Sequence, residues 1–82
     1  MSDLTQQIAL RLTELRDTAR AIGPLCGKPL VECDGERWEA FVSFSAVGMV
    51  KPLAIVAGAE DPIAAIDSAI AVARRRTEGA AA

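Results

Sequence analysis

The run Trp38–Val47, WEAFVSFSAV, constrains the fold more than any other stretch, because its alternation can be satisfied only by an extended strand. Successive side chains of a strand point to opposite sides of the pleat. Trp38, Ala40, Val42, Phe44 and Ala46 therefore make one apolar face, and Glu39, Phe41, Ser43 and Ser45 make the other. The second face is polar except for Phe41. Either another element covers that ring, or it belongs to a contact surface.

The chain has 82 residues, enough for one domain. A chain this short buries roughly 60 to 65% of its unfolded surface, so its stability is on the order of 5 kcal/mol. Half of the residues are apolar, but alanine supplies many of them, which predicts a core with close helix-to-sheet approach.

Before the central run, Leu4, Ile8, Leu12, Leu15, Ala19 and Ile22 recur at steps of three and four, the period of an amphipathic helix. Ser2 and Asp3 are suited to cap it, and Gly23-Pro24 ends it, glycine by accepting a left-handed cap and proline by being unable to continue. The helix is placed at 3–22. After a linker over Leu25–Lys28, Pro29 opens a short strand, 29–33. Its missing N–H restricts that strand to an edge. Asp34-Gly35 then reads as a type I′ hairpin turn, pairing this strand with the central one, 36–47.

Gly48 to Pro52 turns the chain, and LAIVA begins a third strand, 53–58. Leu53, Ile55 and Ala57 are expected inside, and Ala54 and Val56 beside Phe41. Asp61-Pro62 supplies a capping carboxylate and a proline at the first helical position for a helix over 62–77. Ile63, Ile66, Ile70 and Ala73 form its buried stripe, widened by Ala69 and Val72, and the arginines at 74–76 complement its dipole. The tail, 78–82, is expected to fray. The expected fold is α+β in the order α-β-β-β-α, a three-stranded antiparallel meander with two flanking helices, in one domain spanning 1–82. If both helices lie on the Trp38 face, the other face of the sheet is open.

Several kinds of chemistry lack residues to carry them. The chain has no histidine, which removes the common general base and every Ser-His-Asp or Cys-His arrangement. A short hairpin offers no cleft in which Glu32, Glu36 or Glu39 could be desolvated for acid–base work. Cys26 and Cys33 are too widely spaced for a redox or zinc CxxC pair. Cys33 is expected to be a small core residue and Cys26 a loop thiol, and a disulfide between them is geometrically conceivable. The glycines are scattered at turns, with no phosphate-binding loop. The expectation is a non-enzyme without cofactor or metal.

Net charge at pH 7 is −2, which argues against direct nucleic-acid binding. From Ala40 to Ala59 only Lys51 is charged, but Gly48, Lys51 and Pro52 break the stretch and strand-like alternation flanks it, so no membrane span is expected. Two cysteines and an N-terminus without a signal-like core point to the cytoplasm. Acid gathers at Glu32, Asp34, Glu36 and Glu39, and base at Arg11, Arg16 and Arg20 and at Arg74–Arg76. What remains is binding to protein, through Phe41 on the open face, through the edge strands, or through the acidic hairpin.

A compact chain with no catalytic set, a short meander and a closing helix, DPIAAIDSAIAVA, resembles the small phage- and prophage-encoded inhibitors of bacterial defence, the anti-CRISPR proteins in particular. That resemblance implies a stoichiometric inhibitor that blocks target-DNA binding by a CRISPR surveillance complex, with a subunit of the effector complex as its partner. The alternative is a homodimeric structural or accessory domain packed through its open sheet face. The candidate partner-binding residues are Glu32, Asp34, Glu36, Glu39 and Phe41.

Overall fold

The computed structural model describes residues 3–48 and 51–81, with side chains through Thr77. Ser2, expected as a helix cap, lies outside the described residues. The elements are α1 (Asp3–Arg20), β1 (Leu25–Cys26), β2 (Leu30–Asp34), β3 (Arg37–Ser45), β4 (Leu53–Ala59) and α2 (Pro62–Ala81). The fold is α+β with an antiparallel sheet. β3 is central, β1 and β2 pair along one side of it, and β4 pairs along the other.

β1 corrects the expected linker. Leu25 and Cys26 pair with Ser45 and Phe44, while β2 pairs Leu30 with Phe41 and Val31 with Ala40. Three residues, Gly27 to Pro29, thus lie opposite two, Val42 and Ser43. This extra residue is a β-bulge, and it places Pro29, which has no donor, where the ladder is already interrupted. β1 and β2 are one bent edge strand.

The hairpin also differs from expectation. Asp34 pairs with Arg37, so the two turn residues are Gly35 and Glu36. Only Gly35 has positive φ, at 69°. Glycine at the first central position with an ordinary second residue fits a type II′ turn, not the I′ turn centred on Asp34-Gly35. This arrangement spares Asp34 a left-handed conformation and leaves it in the strand. A Cβ at Gly35 meets nothing within 4 Å, so substitution is penalised by backbone conformation alone. Gly35→Val is expected to cost about 1–2 kcal/mol, read as a lower denaturation midpoint; an unchanged midpoint contradicts the turn.

Both helices cover the inner face of the sheet. Leu15 and Ala19 of α1, Ala40, Val42 and Phe44 of β3, Ile55 of β4, and Ala65, Ile66, Ala69, Ile70 and Ala73 of α2 form the core. Five of these are alanines, which lets the helices approach closely, as expected. Trp38 is only half-buried against the rim of this core, and the largest fully buried side chain is Phe44.

Asp61 caps α2 as expected, its Oδ1 accepting from the Ala64 N–H at 2.8 Å. The helix then runs to Ala81, past the Thr77 end read from sequence. Arg74–Arg76 accordingly stand before its last turn, not at the dipole terminus; Arg74 and Arg76 reach other elements, while Arg75 bonds the Ala71 carbonyl of its own helix. Arg74 Nη2 pairs with Glu14 Oε1 at 2.9 Å and Arg11 with Asp67 at 3.2 Å, tying the two helices together. These pairs are exposed and each contributes little, about 0–1 kcal/mol. Among the described residues no helix is long and apolar enough to cross a membrane.

Candidate protein-binding face

With both helices on one side, the outer face of the sheet carries no covering element among the described residues. Paired residues of neighbouring strands point to the same side of a sheet, so the register defines this face row by row. Leu30, Phe41 and Val56 form one row across β2, β3 and β4. Leu30 is 43% exposed and Val56 53%, and Phe41 between them is half-buried. The ring that departs from the polar pattern is thus the centre of an apolar stripe.

The next row toward the hairpin is Glu32, Glu39 and Gly58. Two carboxylates directly opposite each other repel. Beyond them, Asp34 opposes Arg37, and Glu36 sits in the turn. Arg37 leans across Gly58, its Nη2 lying 3.4 Å from where a Cβ would stand. No ion pair within 4.0 Å among the described residues involves Glu32, Asp34, Glu36 or Glu39. A shallow depression lined by Glu36, Arg37, Ala59 and Glu60 lies at this end. In the other direction the face continues through Ser43 and Ala54 to Ser45 and Leu25, which is 62% exposed.

The geometry therefore merges two surfaces that the sequence presents separately. Glu32, Asp34, Glu39 and Phe41 share the outer face, with Glu36 at its end. Leu30, Val56 and Arg37 complete it. Nothing in the sequence marks Leu30, because its place beside Phe41 depends on the hairpin register. Chemically, such a face offers apolar area next to a band of unpaired carboxylates, which suits a partner surface with an exposed hydrophobic group beside arginine or lysine.

The cysteines exchange their expected roles. Cys26, opposite Phe44, packs against the core, whereas Cys33, opposite Trp38 near the hairpin, is exposed. On the inner face Phe44 is fully buried, whereas Trp38, nearer the hairpin, is only partly covered. Phe44 and Trp38 are about 20 Å apart along β3, so the register separates the two thiols far beyond disulfide reach. Burial pushes the Cys26 thiol above its usual pKa, against the opposing pull of Arg20 and Arg16. It stays protonated and is a poor nucleophile at neutral pH. Among the described residues no three Cys, Asp or Glu side chains converge as a metal site requires.

No protein-family model, curated protein or solved structure matches the chain.

Proposed function

We propose that this protein is a non-catalytic protein-binding domain that acts in the cytoplasm by seating the outer face of its sheet on a cationic, nucleic-acid-handling site of its partner. The observation that carries this reading is the adjacency of the Leu30–Phe41–Val56 stripe and the Glu32–Glu39 pair on one uncovered face. Two carboxylates held opposite each other without a cation weaken the free domain, typically by about 0.2–1 kcal/mol. A partner that supplies arginine or lysine relieves that repulsion on binding. A site that ordinarily holds a phosphate backbone has such cations already in place. In the anti-CRISPR reading, the partner is a subunit of a CRISPR surveillance complex, and occupancy excludes target DNA.

The two components of the face separate kinetically. Replacing Glu32, Glu36 and Glu39 together by Gln is expected to leave stability unchanged or slightly raised. It slows association with the partner, by a factor that shrinks as salt is added, because steering is screened over about 8–10 Å. Phe41→Ser removes apolar contact and is expected to weaken binding by roughly 2 kcal/mol or more, about thirtyfold, mainly by faster dissociation. Stopped-flow or surface-binding kinetics on a purified surveillance complex measures both. A triple Gln variant that associates at the wild-type rate at low salt removes the phosphate-site idea. Wild-type kinetics in both variants removes the outer face as the binding surface.

A further inference from the structure

β4 is the other edge strand of the sheet. The Gly27 N–H donates to the Ser43 carbonyl at 2.9 Å, on the β1 side of β3. In an antiparallel ladder, alternate residues direct both backbone groups to the same side. The outer-face residues of β3, Ser43 among them, are thus bonded toward β1 and β2, and the inner-face residues toward β4. Through the pairs Val42–Ile55 and Ala40–Ala57, Leu53, Ile55, Ala57 and Ala59 turn their backbone groups to β3. Ala54, Val56 and Gly58 turn theirs to open edge. Arg76 agrees with this assignment, since its Nη1 reaches the Ala54 carbonyl from outside the ladder at 3.5 Å.

Exposed edges are ordinarily blunted by charge, proline or a bulge. Between Leu53 and Ala59, β4 has no charged residue and no proline, and its register with β3 is unbroken. We propose that β4 pairs antiparallel with the β4 of a second copy of this chain, about a two-fold axis through Val56, so that the two sheets become one.

Self-complementarity selects this occupant. Centred on Val56, the pairing sets Ala54 opposite Gly58 of the second copy, Val56 opposite itself, and Gly58 opposite Ala54, so every free backbone group is used. Other registers push one of the three against Pro52, which has no donor, or past the strand end at Glu60. The side chains meeting at the axis are small or apolar, and Val56, 53% exposed in the single chain, gains its own counterpart as a cross-strand neighbour. Beyond the strand ends, the same register brings Lys51 of each copy toward Glu60 and Asp61 of the other, opposite charges at both ends. The Leu30–Phe41–Val56 row then continues into its counterpart, doubling the apolar stripe. Arg76, on a long flexible stem and 3.5 Å from its acceptor, swings off the edge to allow this.

The test is sedimentation of the wild-type chain over a concentration series, with amide hydrogen exchange at Ala54, Val56 and Gly58. A monomer–dimer equilibrium with exchange at these three amides slowing as concentration rises is expected. Val56→Lys places two ammonium groups at the axis and is expected to weaken the dimer by up to about fivefold. With Cys33→Ser as background, Val56→Cys is expected to form a disulfide-linked dimer, because a hydrogen-bonded antiparallel pair sets Cα atoms about 5.5 Å apart, within disulfide range. Ala54→Cys is not, its two copies lying about 14 Å apart. A chain that stays monomeric up to about 1 mM, equal cross-linking at 54 and 56, or a dimer abolished by Phe41→Ser but not weakened by Val56→Lys each overturns the proposal. The last outcome indicates face-to-face packing. None of these outcomes depends on the inhibitor reading, and loss of the dimer leaves the outer face available to a partner.

Discussion

Phe44→Ala is expected to lower stability by about 3–5 kcal/mol, most of what a domain of this size possesses. Phe44 is the largest side chain fully buried, 1% exposed. Its neighbours cannot collapse into the space it leaves, because the surrounding core is rich in alanines already at close approach, Ala19, Ala40, Ala65, Ala69 and Ala73. In a denaturant titration the variant should be largely unfolded near room temperature. Trp38→Ala should cost less, although tryptophan is the larger side chain, because Trp38 is only partly buried at the rim of the core. If Trp38→Ala proves the more damaging of the two, the core has been placed at the wrong end of β3.

Gly23→Ala is the second large effect, and its cause is contact, not conformation. Gly23 follows α1, its N–H donating to the Ala19 carbonyl at 3.0 Å, and its φ is not positive. A left-handed cap, the expectation from Gly-Pro, is therefore not why glycine stands there. A Cβ at this position would lie 2.7 Å from the Ser45 carbonyl oxygen and 3.0 Å from Phe44 Cδ2. Backbone cannot rotate aside as a side-chain tip can, so the end of α1 must lift from β3. The expected cost is about 1–3 kcal/mol, or a fall in Tm of several degrees for each kcal/mol in a chain this short. A Gly23→Ala protein as stable as the parent would mean that α1 does not dock against Ser45.

The hairpin shows what could be read from sequence and what could not. Centring the turn on Asp34-Gly35 sets Cys33 opposite Glu36 and Leu30 opposite Glu39. Centring it on Gly35-Glu36 sets Leu30 opposite Phe41. The difference is two residues along the partner strand, an even number, so every inward and outward assignment survives while every neighbour changes. For this reason the open face and Phe41 were legible, yet the Leu30–Phe41 contact and the Glu32–Glu39 opposition were not. Asp-Gly alone does not distinguish the two turns; an aspartate that stays extended to face Arg37 does, and that is a property of the folded pair.

The bulge at Gly27–Pro29 hid β1 for a similar reason. A glycine, a lysine and a proline look like a linker when the strand before them is only two residues long. Cys26 looks like a loop thiol only because β1 reads as a linker; Cys33 looks buried because alternation gives the side of a sheet and not how fully that side is covered. The same limit applies to Arg11 and Arg74, whose partners Asp67 and Glu14 lie on the other helix. Charge clustering in sequence gives no sign of such pairing.

The central claim, that the uncovered face of the sheet is the working surface, is tested most directly, under the anti-CRISPR reading proposed above, by fluorescence anisotropy of labelled target DNA bound to a purified CRISPR surveillance complex. The chain is titrated in as wild type, as Phe41→Ser, and as Arg75→Ala, an exposed change on the helix side. Stoichiometric loss of DNA binding with wild type and Arg75→Ala, and a curve displaced about thirtyfold for Phe41→Ser, is the predicted result. Inhibition of equal strength by all three chains would contradict it; DNA binding that none of them disturbs would instead remove the surveillance complex as the partner.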